Sequence, residues 1–312
     1  FMEPALLRNI NDRIKQTQLL IEEEIYRILV ELSQSLHPHG QDFEFAYELS
    51  VQIDLILGRA LFARTFSSML GASRPSFTPR FILESLYHPL LAFVIEPEKV
   101  IRNDFLLGPD RRVLVISGPN TGGKTVLLKA VGLCSLMARA GFYLPCAGKA
   151  ELPFFSDVLA QIGDSQNLEL SLSSFSGSVR HLREMLDCAR QGSLVLIDEI
   201  LHATDPDEAT ALSRAILGEL QARGAFAVVT THLNGLKSSG EGAFESASME
   251  FDPHQLSPTY RLRIGVPGSS RALEIAKKLG LEDQIIEGAK NFLSREKREE
   301  QSAVDQLEAR ER

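Results

Sequence analysis

The sequence lacks an excess of positive charge and any pairing pattern of cysteines. Its 312 residues include 33 Lys and Arg against 41 Asp and Glu, which gives a net charge of −8. Because affinity for nucleic-acid phosphates requires clustered basic residues, composition alone does not predict DNA binding. The three cysteines are scattered without C-x-x-C or metal-ligand spacing, which argues against a disulfide framework and a zinc site. We therefore expect a reduced, cytoplasmic protein.

The sequence also lacks a membrane-spanning run and a signal peptide. No apolar stretch approaches the roughly 20 residues that a spanning helix needs, and the N-terminus has neither a basic nor an apolar leader region. No membrane association is therefore expected. No internal repeat is present, so a repeat fold is not expected either. With 44% hydrophobic residues the chain can form one large domain and a smaller one. It begins at Phe1 without a Met, and we expect it to be a piece of a longer protein.

One octapeptide fits the phosphate-binding pattern G-x-x-x-x-G-K-[ST] at every fixed position. Its residues are Gly118, Pro119, Asn120, Thr121, Gly122, Gly123, Lys124 and Thr125. Backbone N–H groups of such a loop surround the β-phosphate, the Lys reaches the β- and γ-phosphates, and the Thr hydroxyl ligates Mg²⁺. An apolar strand pattern at 112–117 precedes the loop, and a helical pattern at 125–140 follows it. The sequence therefore predicts a nucleotide site, against the alternative of a glycine-rich turn that binds nothing.

An apolar run at residues 194–199 ends in Asp198 and Glu199. A buried parallel strand delivers such carboxylates to the mouth of the sheet, where ligands bind. Asp198 is predicted to hold Mg²⁺, usually through water, and Glu199 to polarise the water that attacks the γ-phosphate. The alternative is a strand that merely happens to end in acids.

Two further polar groups have both a functional and a structural interpretation. The strand pattern at 225–232 ends in His232, which is placed to contact the γ-phosphate but is more often a hydrogen-bonded structural residue in such a position. A serine cluster at 171–177 precedes a helix predicted from about Ser178 to Arg190. Its hydroxyls either cap that helix or bind the γ-phosphate of a nucleotide held by a second subunit.

Two long helices are predicted before the nucleotide site. Residues 4–36 have helical apolar spacing, which indicates an amphipathic helix that packs against a partner helix. After a break at 37–40, a second helical pattern from about 42 to 70 completes an αα-hairpin or lever. A boundary follows at 71–79, and residues 90–95 predict a strand that leads into an α/β domain.

The order of these motifs resembles the MutS family of ABC-type ATPases. The loop is followed by Ser-Leu-Ser-Ser-Phe-Ser at 171–176, the acidic pair, Thr-Asp-Pro at 204–206 and Thr-Thr-His at 230–232. The segments GPNTGGKTV, which ends at Val126, and SPTYRLRIGVPG, which begins at Ser257, are similar to one bacterial paralogue class. That class is linked to suppression of homologous recombination and carries a C-terminal Smr domain.

The resemblance implies an α/β fold, with a P-loop ABC-type ATPase domain, an N-terminal long helical hairpin acting as a lever, and a C-terminal helical segment. It implies four parts: a lever and clamp hairpin at 1–72, the ATPase domain at 73–268, a helix-turn-helix dimerisation segment at 269–293, and a charged linker tail at 294–312. No nuclease activity is expected, because the Smr domain is not encoded in this chain.

The resemblance also implies a homodimer with composite ATP sites. In such a site Ser173 and Ser174 of one subunit face a set of residues of the other subunit. That set contains the phosphate loop with Lys124 and Thr125, the adjacent Val126, and Asp198, Glu199 and His232. Lys124, Glu199 and His232 would be catalytic, Thr125 and Asp198 would hold Mg²⁺, and ATP would be the bound nucleotide. The implied macromolecular partner is DNA of unusual structure, such as branched recombination intermediates, and in some members the ribosome or its RNA.

One departure from the family supports a second hypothesis. Where the family has a glycine-rich loop after the acids, this chain has Ile200, Leu201, His202 and Ala203. Bulky residues are therefore expected where the backbone should approach the nucleotide site of the opposing subunit. A nucleotide-binding switch or scaffold with little turnover is for this reason the alternative to an ATPase. A transporter ATPase subunit is disfavoured, because the serine cluster is not Leu-Ser-Gly-Gly-Gln.

Overall fold

The structure is a computed structural model that describes residues 5–163, 174–201, 204–237, 244–252, 255, 257–266, 273, 276–277 and 280–292. Ser173, parts of the predicted 269–293 segment and the tail at 294–312 lie outside these residues. The chain divides into two units, residues 1–60 and 61–312. None of the helices within the described ranges combines the length and hydropathy that a bilayer crossing requires.

The elements are as follows in chain order. The helices are α1 (Ala5–Leu36), α2 (Gly40–Met69), α3 (Leu91–Val94), α4 (Lys124–Arg139), α5 (Ser174–Cys188), α6 (Pro206–Ala222), α7 (Asn234–Lys237) and α8 (Asp283–Phe292). The strands are β1 (Ser76–Phe77), β2 (Phe81–Leu86), β3 (Asn103–Leu107), β4 (Val113–Ser117), β5 (Ala150–Leu152), β6 (Asp157–Gln161), β7 (Ser193–Ile197), β8 (Phe226–Thr230), β9 (Glu245–Asp252) and β10 (Ser257–Ile264).

The first unit is built from α1 and most of α2, at the positions that helical spacing predicts. A short 3-10 turn joins them, and both Leu36 and Gly40 beside it keep right-handed helical dihedral angles. The apolar side chains along α1 stay exposed, with Ile14 50% and Ile25 52% accessible. The described residues of this unit therefore do not bury the apolar face that the sequence predicts for helix packing.

The second unit contains two sheets. The smaller has the order β1-β5-β2-β3, and the larger has the order β10-β9-β4-β8-β7-β6. In the larger sheet every described pair is parallel except the β10 and β9 pair at one edge. Strands β4, β7 and β8 are buried along their whole length, as expected for continuous apolar runs covered on both faces.

Alternating side chains of the large sheet form two cores. Leu114, Leu196 and Val228 lie on the face that packs against α4, and Val115, Val195 and Val229 on the opposite face. Residues of α5 and α6 cover that opposite face. These three layers confirm the predicted α/β class with a parallel sheet. Because β4, β8 and β7 are parallel neighbours, their carboxyl ends lie at the same edge of the sheet.

The strand expected at residues 90–95 is absent from the structure, and this prediction was wrong. Residues Leu91–Val94 form the short helix α3, which begins just after Pro89. A short continuous apolar run has no period of its own and does not distinguish strand from helix, and a preceding proline is compatible with a helix start. Phe93 in α3 is largely exposed, so burial does not impose an extended conformation there.

Two of the three cysteines belong to the core on the α4 face. Cys134 and Cys146 are fully buried. Burial raises the pKa of the Cys146 thiol to about 12 and raises that of Cys134 as well. Both thiols therefore stay protonated near neutral pH and pack as small apolar side chains.

Candidate nucleotide site

The predicted phosphate loop connects β4 to α4. Gly118 and Gly123 have φ angles of +129° and +88°, in the left-handed region that L side chains rarely adopt. The loop also lies against β9, since a Cβ atom added at Gly118 or Gly122 would come within 3.2 Å of the Met249 Cβ. Backbone conformation and close packing therefore both require glycine in this loop.

Lys124 occupies the first position of α4 and points back over the loop. Its Nζ donates hydrogen bonds to the carbonyl oxygens of Gly118 at 2.7 Å and Pro119 at 3.1 Å. A buried ammonium group is costly without such partners, and the side chain is only 2% exposed. The amine is thereby held at the helix N-terminus, where the helix dipole already favours an anion.

The first acid after β7 lies between two hydroxyl groups. Asp198 Oδ2 accepts a hydrogen bond from Thr125 Oγ1 at 2.7 Å, and its Oδ1 accepts one from Thr230 Oγ1 at 2.6 Å. Thr125 belongs to the phosphate loop and Thr230 ends β8, so Asp198 connects three elements. Hydroxyl and carboxylate oxygens are the ligands that Mg²⁺ prefers, and Thr125 and Asp198 therefore fit this ion.

The second acid forms a hydrogen bond with the predicted histidine. Glu199 Oε1 lies 2.9 Å from His232 Nε2, and the two side chains are 30% and 41% exposed. Because the carboxylate can only accept, Nε2 carries the proton in this arrangement. The same Nε2 lies 3.5 Å from Lys124 Nζ, which places the histidine between the acid and the loop. Both side chains open onto solvent at the edge of the sheet.

The structure brings Lys124, Thr125, Asp198, Glu199 and His232 together at one edge of the large sheet. Other predicted residues of the site are only partly described. Helix α5 begins at Ser174, four residues before the predicted start, and the side chains of Ser174 and Asn120 lie outside the described set, as does Ser173 entirely. The roles given to these three residues stay predictions.

Tyr260 and Asn103 are neighbours of the loop that sequence reasoning missed. The Tyr260 ring lies 3.1 Å from the position of a Cβ added at Gly123, and the residue has a φ angle of +61°. Asn103 of β3 donates to the Tyr260 carbonyl at 3.1 Å and accepts from the Leu262 N–H at 2.6 Å. These bonds lie where the register of β10 shifts, and they fix Tyr260 against the loop. The segment SPTYRLRIGVPG contains the tyrosine, but its contact with Gly123 depends on tertiary packing.

The turn after the acids differs from the expectation for bulky residues. Glu199 and Leu201 both have left-handed φ angles, +53° and +51°. Ile200 and Leu201 are each only 2% exposed and pack in the core beneath α5 and α6. The expectation that these two side chains project toward an opposing site was therefore wrong, because the left-handed turn directs them into their own core. His202 and Ala203 lie outside the described residues.

Comparison with known proteins gives a consistent family match. A family model described as MutS domain V matches residues 114–297. The chain is 38% identical to a protein named Endonuclease MutS2 from Ligilactobacillus salivarius and 44% identical to one of that name from Thermus thermophilus. These alignments cover 99% of this chain but only 39% and 40% of the relatives, so the chain spans well under half of their length.

The left-handed backbone at Leu201 predicts an unusual order of stability between two variants. Leu201→Ala loses a buried side chain, at a cost of about 2–5 kcal/mol. Leu201→Gly loses the same contacts but relieves about 1–2 kcal/mol of left-handed strain. We expect the glycine variant to be at least as stable as the alanine variant when free energies of unfolding are measured in urea.

Leu217 is the matched control for this measurement, since it is fully buried in the same core but lies in helix α6. There glycine should be less stable than alanine by about 1 kcal/mol, the ordinary helix preference. If alanine is also the more stable residue at position 201, the left-handed turn is not formed in solution.

Proposed function

The chain belongs to the MutS family, as a MutS2-type sequence, and we propose that it binds ATP with Mg²⁺ and hydrolyses it. The observation that carries this proposal is the contact between the phosphate loop and the acidic strand, where Thr125 Oγ1 and Asp198 Oδ2 are 2.7 Å apart. Glu199 and His232 lie beside that contact, 2.9 Å from each other. One sheet edge thus presents groups suited to phosphate, to a divalent cation and to a water molecule.

The loop and α4 supply the phosphate-binding groups. Backbone N–H groups at the start of α4 and the Lys124 ammonium favour negative charge at the same point. Lys124 has three donor hydrogens, and two of its acceptors are the carbonyls of Gly118 and Pro119. These bonds orient the ammonium over the loop.

Thr125 and Asp198 would hold Mg²⁺, which neutralises charge on the phosphate oxygens when bound. Glu199 is the proposed general base, since its carboxylate is partly exposed at the edge and able to take a proton from water. His232 donates to Glu199 and thereby orients the carboxylate beside the loop. In hydrolysis the chain would thus place three groups around one point. These are the Lys124 amine, the oxygens of Thr125 and Asp198, and the Glu199 carboxylate.

Tyr260 is the proposed platform for the nucleotide base. Its ring lies against the loop at Gly123, and the residue as a whole is 48% exposed. Aromatic stacking on a base is worth about 1–3 kcal/mol.

We extend the proposal to a homodimer that forms around ATP and to DNA as the macromolecular partner, on the family likeness. Within that likeness, a preference for branched recombination intermediates, suppression of recombination and ribosome binding are finer proposals. The excess of 41 acidic over 33 basic residues adds no independent support for a nucleic-acid surface. Nuclease activity is not proposed for this chain, since it spans only 39% of the relatives that are named endonucleases.

A switch with little turnover is the second candidate function. It is favoured by the turn after Glu199. Both Glu199 and Leu201 have left-handed φ angles there, and Leu201 lies where the family typically has a glycine-rich loop. Burial of Ile200 and Leu201 in their own core would limit movement of the Glu199 carboxylate between nucleotide states. The two candidates make opposite predictions for steady-state turnover.

Glu199→Gln is expected to lower the steady-state rate of ATP hydrolysis by about 100-fold or more, because general-base catalysis contributes a factor of 10² to 10⁴. ATP affinity should change little, since the amide keeps the shape of the side chain. Glu219→Gln, in an exposed ion pair of α6, is the control and should match the unmodified chain. Equal rates above background for the chain and Glu199→Gln would remove Glu199 as the base, whereas a chain at background would support the switch.

ATP with Mg²⁺ is expected to convert Glu199→Gln to a dimer, because blocked hydrolysis leaves the nucleotide in the shared site. Multi-angle light scattering with and without ATP measures this mass change. The double variant Lys124→Ala, Glu199→Gln is the control and should stay monomeric, because it lacks the phosphate-binding amine. A Glu199→Gln variant that remains monomeric with saturating ATP would contradict the composite site.

Tyr260→Ala is expected to weaken ATP binding about 5- to 150-fold, the range given by one base stack. Binding of inorganic tripolyphosphate, which has no base, should not change. Tyr260→Phe keeps the ring and should bind both compounds like the unmodified chain. An equal loss of affinity for ATP and tripolyphosphate in Tyr260→Ala would show that the ring supports the loop and does not stack on a base.

A further inference from the structure

We propose that Thr230 is a positioning residue whose single hydroxyl fixes both acids of the site. This inference rests on the proposed ATP hydrolysis and adds a residue to it. Thr230 Oγ1 donates to Asp198 Oδ1 at 2.6 Å and accepts from the Glu199 N–H at 2.8 Å. The Thr230 side chain is fully buried, so water does not replace these partners.

The direction of these bonds follows from the groups involved. A backbone N–H only donates, so Thr230 Oγ1 must accept from Glu199, and its one proton is then free for the Asp198 carboxylate. Thr125 donates to the other Asp198 oxygen at 2.7 Å. The carboxylate is therefore held from both sides, by one hydroxyl that belongs to the phosphate loop and by one that does not.

Thr230 also stabilises the strained backbone of the second acid. A left-handed conformation costs an L residue about 1–2 kcal/mol, and Glu199 has a φ angle of +53°. The Thr230 hydroxyl accepts from the N–H of Glu199, and the Thr230 carbonyl accepts from that of Ile200 at 3.2 Å. Both peptide groups of the turn are thus tied to one residue of β8. Without the hydroxyl, the Glu199 backbone loses the bond that keeps its carboxylate beside His232.

The position of Thr230 follows from strand alternation. Phe226 and Val228 of β8 face α4, and Thr230 is the next residue of that series. Leu196 of β7 faces α4 in the same way, so Asp198 projects to the same side. The adjacent Thr231 uses its hydroxyl differently, accepting from the Leu233 N–H at 3.0 Å. Thr231 is buried as well, but its hydroxyl holds the turn around His232 and does not bond to either acid.

Thr230→Val replaces the hydroxyl by a methyl group of the same size, and Thr230→Ser keeps the hydroxyl. We expect Thr230→Val to lower kcat about 10- to 100-fold, the effect of losing a hydrogen bond to a charged group. The Mg²⁺ concentration for half-maximal binding of fluorescent mant-ATP should rise several-fold, while mant-ATP affinity in EDTA stays unchanged. Thr230→Ser, which keeps the hydroxyl, is the control and should lie within about threefold of the unmodified chain in all three measurements.

Several outcomes overturn the inference. A Thr230→Val variant with unchanged kcat and Mg²⁺ dependence shows that the hydroxyl positions neither acid. An equal loss in Thr230→Ser assigns the effect to packing of the methyl group. If Thr230→Val does not fold, Thr230→Ala against Thr230→Ser makes the same comparison, because both lack the methyl group and differ only in the hydroxyl.

The Mg²⁺ titration also separates this inference from the proposed function. A chain that binds mant-ATP without turning it over fails as an ATPase, but Thr230 is still tested by the Mg²⁺ dependence of binding. A chain that binds no nucleotide in either condition overturns the proposed function, and this inference with it. A chain that turns over ATP normally with Thr230→Val unaffected overturns the inference alone.

Discussion

The position of β8 between β4 and β7 is the constraint on which the candidate site depends. Ile116 pairs with Thr230, and Val229 pairs with Ile197, so the three strands end together at one edge. The phosphate loop leaves from one neighbour of β8 and the acids from the other. Side chains alternate with a period of two, and a one-residue slip of β8 would turn Thr230 to the opposite face, away from Asp198. Strand order and register therefore decide whether these groups form a site at all.

The polar groups at this edge bond to one another and to the loop backbone. Lys124 bonds to loop carbonyls, Asp198 accepts from two hydroxyls, and Glu199 pairs with His232. Unpaired buried polar groups are costly, and this network lets the fold place an amine and two carboxylates close together. These contacts orient the amine and the carboxylates relative to one another. Such preorganisation favours transition-state stabilisation over large movements of the site.

The sequence predicts those parts of the site whose geometry is local. The phosphate loop has fixed spacing and the acids directly follow an apolar strand, so Lys124, Asp198 and Glu199 could be named without a structure. Tyr260 and Thr230 could not be assigned contacts in this way, because their contacts depend on which strands are neighbours and where β10 shifts register. The helix α3 was missed because a short apolar run has no distinguishing period. Local rules thus identify the chemistry, and tertiary packing adds the residues that position it.

The turn after β7 connects the stability of the core to the geometry of the site. Glu199 and Leu201 adopt left-handed backbone angles that cost energy in any L residue. Burial of Ile200 and Leu201 in the core and the bonds from Thr230 offset that cost. The orientation of Glu199 is therefore maintained by apolar packing on one face of the sheet and by a hydroxyl on the other. A glycine at position 201 would adopt the same angle without strain, but it would lack the core contact that Leu201 makes. The large residues after the acids are therefore part of what positions Glu199 beside His232.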